Sequence, residues 1–349
     1  MSLPKIDHDY LVDFLVKLLN IPSPTGFTED AIAFVEKELS QFEQLELSRT
    51  RKGALVAKWV GMNDDAPVAL TAHVDTLGAM VKDIKPNGRL QLTRIGGLVL
   101  NGVETEGCWV HTSKGEKLRG SYMLNMSAAH VYAAKVSETK RDEESMEVRL
   151  DARVFNPKET RGLGIEVGDF VSFDPRVELT NGFIRSRHLD DKACVANIVA
   201  AIKSLAEAGQ SPARTVYFHI SNYEEVGHGA SAGIPSDVHE LLTVDMAAIG
   251  AGQSSDEYHA TICVKDSGGP YHHGFSNKLR TVADANDIPY KVDIYPFYGS
   301  DGEAFWRAGG DVAVALIGPG VDASHNYERT HMEALTATTN WIMAYLMSE

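Results

Sequence analysis

Two histidines and three carboxylates, far apart in the sequence, belong to residue types that bind divalent metals. Zinc and cobalt accept imidazole nitrogen and carboxylate oxygen at about 2 Å. Two such ions roughly 3.5–4 Å apart need a ligand that bridges them, and a carboxylate can do so. These residue types therefore suit a pair of divalent ions. The candidate ligands are His73, Asp190, Glu225, Asp245 and His325.

Glu224 stands directly beside one of these candidates and supplies a spare carboxylate. Water held by divalent cations becomes acidic enough to attack a carbonyl near neutral pH. A nearby carboxylate that binds no metal can take the water's proton and pass it to the leaving amine. The residue types therefore predict two-metal hydrolysis of an amide, with Glu224 as general base. Zinc or cobalt suits the ligand set best, and manganese is also compatible.

Each motif alone also has an ordinary structural interpretation. The His73–Asp75 pair could be a hydrogen-bonded structural pair. Asp190 and Asp191 before a helix could cap that helix, and two glutamates after a strand are common in a solvated turn. The functional interpretation depends on the whole set and on its positions in the predicted elements.

The predicted strands place these side chains at one edge of a sheet. His73 follows the strand Pro67–Thr71, the two glutamates follow Thr215–Ser221, and Asp245 closes Leu241–Asp245. Asp190 precedes a predicted helix over 191–208, and His325 follows a strand that ends near Ile317. In an open α/β sheet the carboxyl ends of the strands form the binding crevice. Residues distant in the sequence are therefore expected to meet there.

The alternation of elements predicts an α/β fold with a mostly parallel, mixed sheet flanked by helices. Between residues 76 and 176 the sequence pattern changes to short strand-like segments separated by turns that contain glycine and lysine. We interpret this stretch as an inserted, small β-barrel-like domain, and residues 1–75 and 177–349 as the catalytic domain. The alternative is that residues 76–176 form long loops that extend the main domain and are not a separate domain.

Composition excludes several functions. The formal net charge is −15, from 48 acidic and 33 basic residues, which argues against a nucleic-acid partner. No run of eighteen apolar residues exists, so no membrane span is expected. Three widely spaced cysteines are typical of free thiols in a reducing compartment. We therefore predict a cytoplasmic location.

Several motifs together resemble the tetrahedral metalloaminopeptidase family, which is related to glutamyl aminopeptidases. The resemblance extends along nearly the whole chain and implies the aminopeptidase/phosphorylase-like fold. No single motif is specific, but the combined set is. The motifs are Ala72–Gly78, Arg94–Gly97, Gly164–Asp169, Leu189–Lys192, Glu224–Gly227, Val244–Asp245 and Gly299–Ala304.

The resemblance implies a role for each candidate. Asp190 bridges the two metals, and the peptide bond to Asp191 is cis. Glu224 is the general base, and Asp75 orients the metal ligand His73 through its carboxylate. The remaining ligands divide between the two metals, with His73 and Asp245 on one and Glu225 and His325 on the other.

Three positions depart from the family pattern. Lys192 replaces the usual arginine after the aspartate pair. The loop between Gly227 and Gly229 holds only His228, one residue fewer than is common. The tyrosine usually found two residues before the last histidine ligand is absent, so His331 is a rival to His325 as the ligand.

The resemblance implies a two-metal aminopeptidase that removes N-terminal residues from short peptides. It further implies dimers formed through the inserted domain and assembled into a tetrahedral dodecamer. Two alternatives use the same residues. One is a metal-dependent deacylase or amidase for a small N-acylated or dipeptide-like metabolite, and the other is a non-catalytic assembly protein that contains metal.

Overall fold

The protein is described by a computed structural model that covers residues 3–349, so residues 1–2 of the predicted catalytic domain lie outside it. The first segment contains two amphipathic helices. In the first helix Leu11, Phe14, Leu15 and Leu18 are buried at helical spacing, and the Asp7 side chain caps its first turn. The elements are α1 (His8–Leu19), α2 (Glu29–Leu39), β1 (Leu45–Arg49), β2 (Leu55–Trp59) and β3 (Asn63–His73).

The second segment forms a closed six-stranded barrel in the order β4-β5-β8-β7-β6-β9. Its interior is a separate hydrophobic core that includes Leu90, Val110 and Val148. The barrel confirms the predicted β-barrel-like insertion in place of extended loops of the main sheet. Its elements are β4 (Gly78–Ile84), β5 (Leu90–Ile95), α3 (Leu100–Val103), β6 (Gly107–His111), β7 (Lys117–Leu124), α4 (Ala129–Tyr132), α5 (Lys135–Glu138), β8 (Met146–Leu150), α6 (Pro157–Gly162) and β9 (Phe170–Phe173).

The third segment returns to alternating strands and helices. A three-stranded sheet, β10-β11-β19, lies beside the main one. The elements are β10 (Glu178–Thr180), β11 (Phe183–Ser186), α7 (Leu189–Glu207), β12 (Arg214–Ser221), a 3-10 turn (Glu224–Val226), β13 (Glu240–Val244), β14 (Ala247–Ala248), β15 (Ala260–Asp266), β16 (Gly269–Pro270), α8 (His273–Ala285), β17 (Tyr290–Ile294), α9 (Asp301–Arg307), β18 (Ala313–Val321), β19 (Glu328–His331) and α10 (Met332–Leu346).

The main sheet is mixed, with four neighbouring parallel strands at its centre. Its order is β1-β2-β12-β3-β13-β18-β15-β16, with β17 beside β15 and β14 beside β18. Strands β12, β3, β13 and β18 are mutually parallel, whereas β2 and β15 pair antiparallel with their central neighbours. The predicted mostly parallel, mixed sheet is thus confirmed.

Helices cover both faces of this sheet, which buries the central strands. On one face α1, α7, α8 and α10 share a core that includes Leu70, Ile198 and Trp341. On the other face Phe305 and Trp306 of α9 pack with Leu241 and Val314. Strands covered on both faces are buried throughout, as the carboxyl-terminal half of β3 is.

Two further sequence expectations concern membranes and thiols. Within residues 3–349, no helix has the length and apolar character needed to cross a membrane. The three cysteines, Cys108, Cys194 and Cys263, are buried and unpaired.

Candidate active site

The candidate ligands meet at the carboxyl edge of the four central strands. His73 is the last residue of β3, Asp245 directly follows β13, and Glu225 lies in the turn after β12. Asp190 lies at the start of α7, and His325 lies in the loop after β18. Because these strands are parallel neighbours, their carboxyl ends lie together and bring the five side chains into one place.

Two groups of potential ligand atoms form there and share one residue. Side-chain atoms of His73, Asp190 and Asp245 lie within 4.8 Å of one another, and so do those of Asp190, Glu225 and His325. Asp190 directs one oxygen to each group: Oδ1 lies 3.3 Å from His73 Nε2, and Oδ2 lies 3.6 Å from His325 Nε2. This arrangement is suited to a carboxylate that bridges two cations.

The chemistry of this cluster fits bound cations. His73 Nε2 is buried and has no hydrogen-bond partner among the described residues. Burial and the neighbouring Asp190 raise the pKa of Asp245 to about 8, and the same two causes raise the pKa of Glu225. Carboxylates crowded in this way repel one another unless positive charge neutralises them. The five residues therefore form a suitable site for divalent metal.

Glu224 lies beside this cluster without belonging to either group. Its Oε2 is 3.6 Å from His73 Nε2. Burial is the main cause that raises the pKa of Glu224, and Asp245, Asp301 and Glu225 add to it. A raised pKa makes a carboxylate a better proton acceptor, which suits a group that takes a proton and later returns it.

Asp75 supports the site mainly by binding the 3-10 turn Glu224–Val226, which is called the glutamate turn below. Its fully buried carboxylate accepts hydrogen bonds from the backbone amides of Glu224 (3.1 Å) and Glu225 (3.3 Å), and from the hydroxyl of Thr25 (2.7 Å). His73 Nδ1 lies 2.9 Å from the backbone oxygen of Asp75 but 3.5 Å from its carboxylate. The backbone of Asp75 is therefore the closer partner of the imidazole, and its carboxylate positions the turn.

Glu328 is a buried residue of the site that the sequence analysis missed. Its carboxylate accepts hydrogen bonds from the backbone amides of Asp190 (3.1 Å) and His325 (3.0 Å). It thus links the segments that carry two of the candidate ligands. The only sequence signal is a glutamate three residues after His325.

The structure separates the two rival histidines. His325 lies in the second group, and its Nδ1 is 3.2 Å from the backbone oxygen of Gly97, in a loop of the barrel segment. His331 belongs to neither group. Its Nδ1 accepts from the backbone amide of Glu333 at the start of α10, and its Nε2 lies 3.3 Å from the backbone oxygen of Asn181.

Lys192 is fully buried behind the aspartate pair. Its ammonium donates to the backbone oxygens of Leu18 (3.1 Å) and Ile21 (2.7 Å), and burial lowers its pKa to about 7. The side chain therefore ties α7 to the end of α1. The peptide bond between Asp190 and Asp191 is cis, as the resemblance implies.

The short loop around His228 is held from two sides. Lys52 Nζ donates to the backbone oxygens of His228 and Gly229, the latter at 2.6 Å. The buried carboxylate of Asp301 accepts from the backbone amide of Ala230 at 2.7 Å. This loop follows the glutamate turn directly, so both contacts restrict its conformation.

A cavity of about 530 Å³ opens onto the cluster and is large enough for a short peptide. Its wall includes Asp190, Glu224, Glu225, Asp245 and His325. The rest of the wall comes from Val99, Gly227, Met246, Ala248, Phe297, Tyr298, Gly299, Ser300, Ala304, Arg307 and Ser324.

Comparison with known proteins identifies the family of the chain. The family described as M42 glutamyl aminopeptidase matches residues 53–340. The chain is 46% identical over 338 residues to the aminopeptidase homologue YhfE of Bacillus subtilis strain 168, covering 97% of each chain.

Two solved structures share the fold over nearly their full length. An aminopeptidase from the archaeon Desulfurococcus kamchatkensis superimposes with a TM-score of 0.87 at 22% identity, covering 97% of this chain and 95% of the other. The TET1 peptidase of Pyrococcus horikoshii gives 0.85 at 21% identity, covering 97% and 100%. With the family match and the close relative, they lead to one conclusion: the chain belongs to the M42 glutamyl aminopeptidase family and is a metallopeptidase that hydrolyses peptide bonds.

Proposed function

We propose that the protein is a two-metal aminopeptidase that removes N-terminal residues from short peptides. The observation that carries this proposal is the pair of ligand groups that share Asp190, with Glu224 beside them. His73 and Asp245 would hold one ion, and Glu225 and His325 the other. Zinc or cobalt suits these nitrogen and oxygen ligands best, and manganese is compatible.

When bound, two such ions polarise a substrate carbonyl and lower the pKa of the attacking water. Glu224 accepts the proton of that water at its carboxylate and returns it to the nitrogen of the departing amine. Its raised pKa suits both transfers. Asp75 fixes the turn that carries Glu224, and Glu328 fixes the segments of Asp190 and His325.

Replacing Glu224 with glutamine tests the proton transfer. The variant keeps the size of the side chain but removes the base, so kcat for leucyl-p-nitroanilide should fall by about 10²- to 10⁴-fold. Metal content should stay at the wild-type value, because Glu224 belongs to neither ligand group. Near-full activity would refute the role of Glu224.

The free amine is tested with a blocked substrate. An aminopeptidase should cleave leucyl-p-nitroanilide but not its N-acetyl derivative. Cleavage of the blocked substrate alone would identify a deacylase or amidase, and cleavage of neither compound nor of dipeptides by metal-loaded protein would identify a non-catalytic metal protein.

Metal analysis of single variants tests the assignment of the ligands. Asp190→Ala should lose both metals because Asp190 belongs to both groups, whereas His325→Ala should lose one. His331→Ala is the matched control and should keep the wild-type metal content. Two metals retained in Asp190→Ala would contradict a shared ligand.

The assembly is a separate part of the proposal. We infer dimers formed through residues 76–176 and a tetrahedral dodecamer built from them. Support comes from the TET1 peptidase of P. horikoshii, described as assembling into a tetrahedron or a large octahedral shell. On this segment Phe155 and Val167 are 67% and 56% exposed, so nonpolar surface is available for contacts. Native mass spectrometry should give a mass of twelve chains, and a monomer would refute the assembly.

A cytoplasmic location also remains a prediction. It is supported by Cys108, Cys194 and Cys263, which are unpaired as expected in a reducing compartment.

A further inference from the structure

Nonpolar residues line part of the cavity that opens onto the ligand cluster. Phe297 is 96% exposed, although an isolated phenylalanine is costly to leave in water. Met246 and Ala304 also line this cavity and are buried. The set Met246, Ala248, Phe297, Tyr298 and Ala304 is called the apolar wall below.

The polar groups next to this wall already have partners. The hydroxyl of Tyr298 donates to the backbone oxygen of Met246 at 2.8 Å, so its ring is the part left for contact. The hydroxyl of Ser300 lies 2.7 Å from that of Tyr271, which in turn donates to Asp266. A substrate side chain on this side therefore meets hydrocarbon and aromatic surface.

Arg307 is the one charged cavity residue outside the ligand set and Glu224, among residues 3–349. Its guanidinium forms an ion pair with Glu303, whose side chain is only 7% exposed. An acidic substrate side chain would therefore have to compete with Glu303 for this guanidinium. A basic side chain has no carboxylate on this wall with which to pair.

We propose that the apolar wall binds the side chain of the N-terminal residue and selects large nonpolar residues such as leucine, methionine or phenylalanine. This inference rests on the proposed aminopeptidase function. Burying nonpolar surface is favourable, whereas burying an unpaired glutamate or lysine side chain is costly. The preference therefore departs from the acidic residue in the family's name.

A panel of aminoacyl-p-nitroanilides separates this inference from the proposed function. The wild-type protein should show a kcat/KM for leucyl and phenylalanyl anilides at least about tenfold above that for glutamyl and lysyl anilides. Equal or better hydrolysis of the glutamyl anilide overturns the inference and leaves the aminopeptidase function intact. No hydrolysis of any anilide or dipeptide refutes the proposed function, and the inference with it.

Two variants and a matched control locate the preference on this wall. Phe297→Ala should lower kcat/KM for the leucyl anilide about tenfold while leaving the alanyl anilide within about twofold, because the smaller side chain does not reach it. Ile294→Ala is the control, since Ile294 is 51% exposed on β17 but lies outside the cavity. An equal effect of both variants, or no effect of Phe297→Ala, overturns the assignment.

A charge introduced on the wall provides the converse test. Ala248→Arg should raise the ratio of glutamyl to leucyl activity about tenfold, because an unpaired cation then faces the substrate side chain. Arg307→Gln should leave that ratio within about twofold, since Arg307 is already paired with Glu303. If Arg307→Gln lowered the ratio of glutamyl to leucyl activity, Arg307 would be shown to reach the substrate, and the proposal would be overturned.

Discussion

Replacing Asp75 with asparagine perturbs the turn that carries Glu224 and Glu225. In the wild-type protein Oδ1 of Asp75 accepts from the amide of Glu224, and Oδ2 accepts from the amide of Glu225 and the hydroxyl of Thr25. Asparagine keeps the shape of the side chain but turns one acceptor into a donor. At least one of these backbone N–H groups then faces another N–H group.

The expected loss of stability follows from the number of hydrogen bonds that the asparagine cannot accept. The less damaging orientation places the new NH₂ group toward Glu224 and leaves one buried amide unpaired. Such a group costs about 1–3 kcal/mol of folding free energy. The bonds that survive also lose their ionic partner, which weakens them further. Because the turn carries both a candidate ligand and the candidate base, kcat/KM should fall about 10- to 100-fold.

Urea unfolding, metal analysis and steady-state kinetics measure these effects on one preparation. Thr25→Val is the matched control, because it removes one hydrogen bond to Asp75 but leaves both bonds to the turn. It should cost about 1 kcal/mol of unfolding free energy and change kcat/KM less than about threefold. Asp75→Asn with wild-type stability and turnover, or Thr25→Val with the larger loss of activity, would refute the reasoning.

Three further predictions concern titration, a loop contact and metal removal. Burial lowers the pKa of His111 to about 4, below about 6.5 in the unfolded chain, so its contribution to stability is present at pH 7 and is lost as the pH falls from 6.5 to 4. His111→Gln should therefore show a shallower loss of unfolding free energy between pH 7 and 4.5, and parallel curves would contradict this. Asp301→Ala removes the acceptor of the Ala230 amide and should cost about 1–3 kcal/mol in urea unfolding, whereas an unchanged midpoint would show that the contact is unimportant. Chelation should lower the melting temperature because the carboxylates that share the site lose their neutralising charge, and added zinc should restore it; a melting temperature insensitive to chelator would argue against bound metal.

The convergence of the candidate ligands could be predicted because each one stands at or shortly after a strand end, or at a helix start. Local patterns locate those ends to within a few residues: the predicted strand Thr215–Ser221 is observed as Arg214–Ser221, and the predicted helix over 191–208 as Leu189–Glu207. The parallel sheet then brings the ends together by a general rule of topology. No knowledge of the loops is needed for that step.

The contacts that hold the ligands could not be predicted in the same way. Glu328 binds the amide of Asp190 across 138 positions, and no local pattern marks that contact. The partner of His73 depended on whether the carboxylate or the backbone of Asp75 turned toward the imidazole, a matter of loop conformation. The choice between His325 and His331 likewise required the path of the chain after β18.

The inserted β-barrel-like domain could be predicted from its short strands and turns, but the order of its strands could not. Strand order β4-β5-β8-β7-β6-β9 depends on pairings between segments separated by loops and short helices. Sequence patterns specify the number and length of strands better than their order.

The contact of Gly97 with His325 links the barrel segment to the candidate metal site. A side-chain carbon on Gly97 would lie 2.8 Å from Nδ1 of His325, and one on the neighbouring Gly96 would lie 3.1 Å from the backbone oxygen of Glu225. Excising the barrel would thus remove a contact that positions His325 in the second ligand group. An ancestor without this domain would have needed another contact to position His325. Chimeras that exchange the barrel between relatives must therefore keep the loop that contains Gly97.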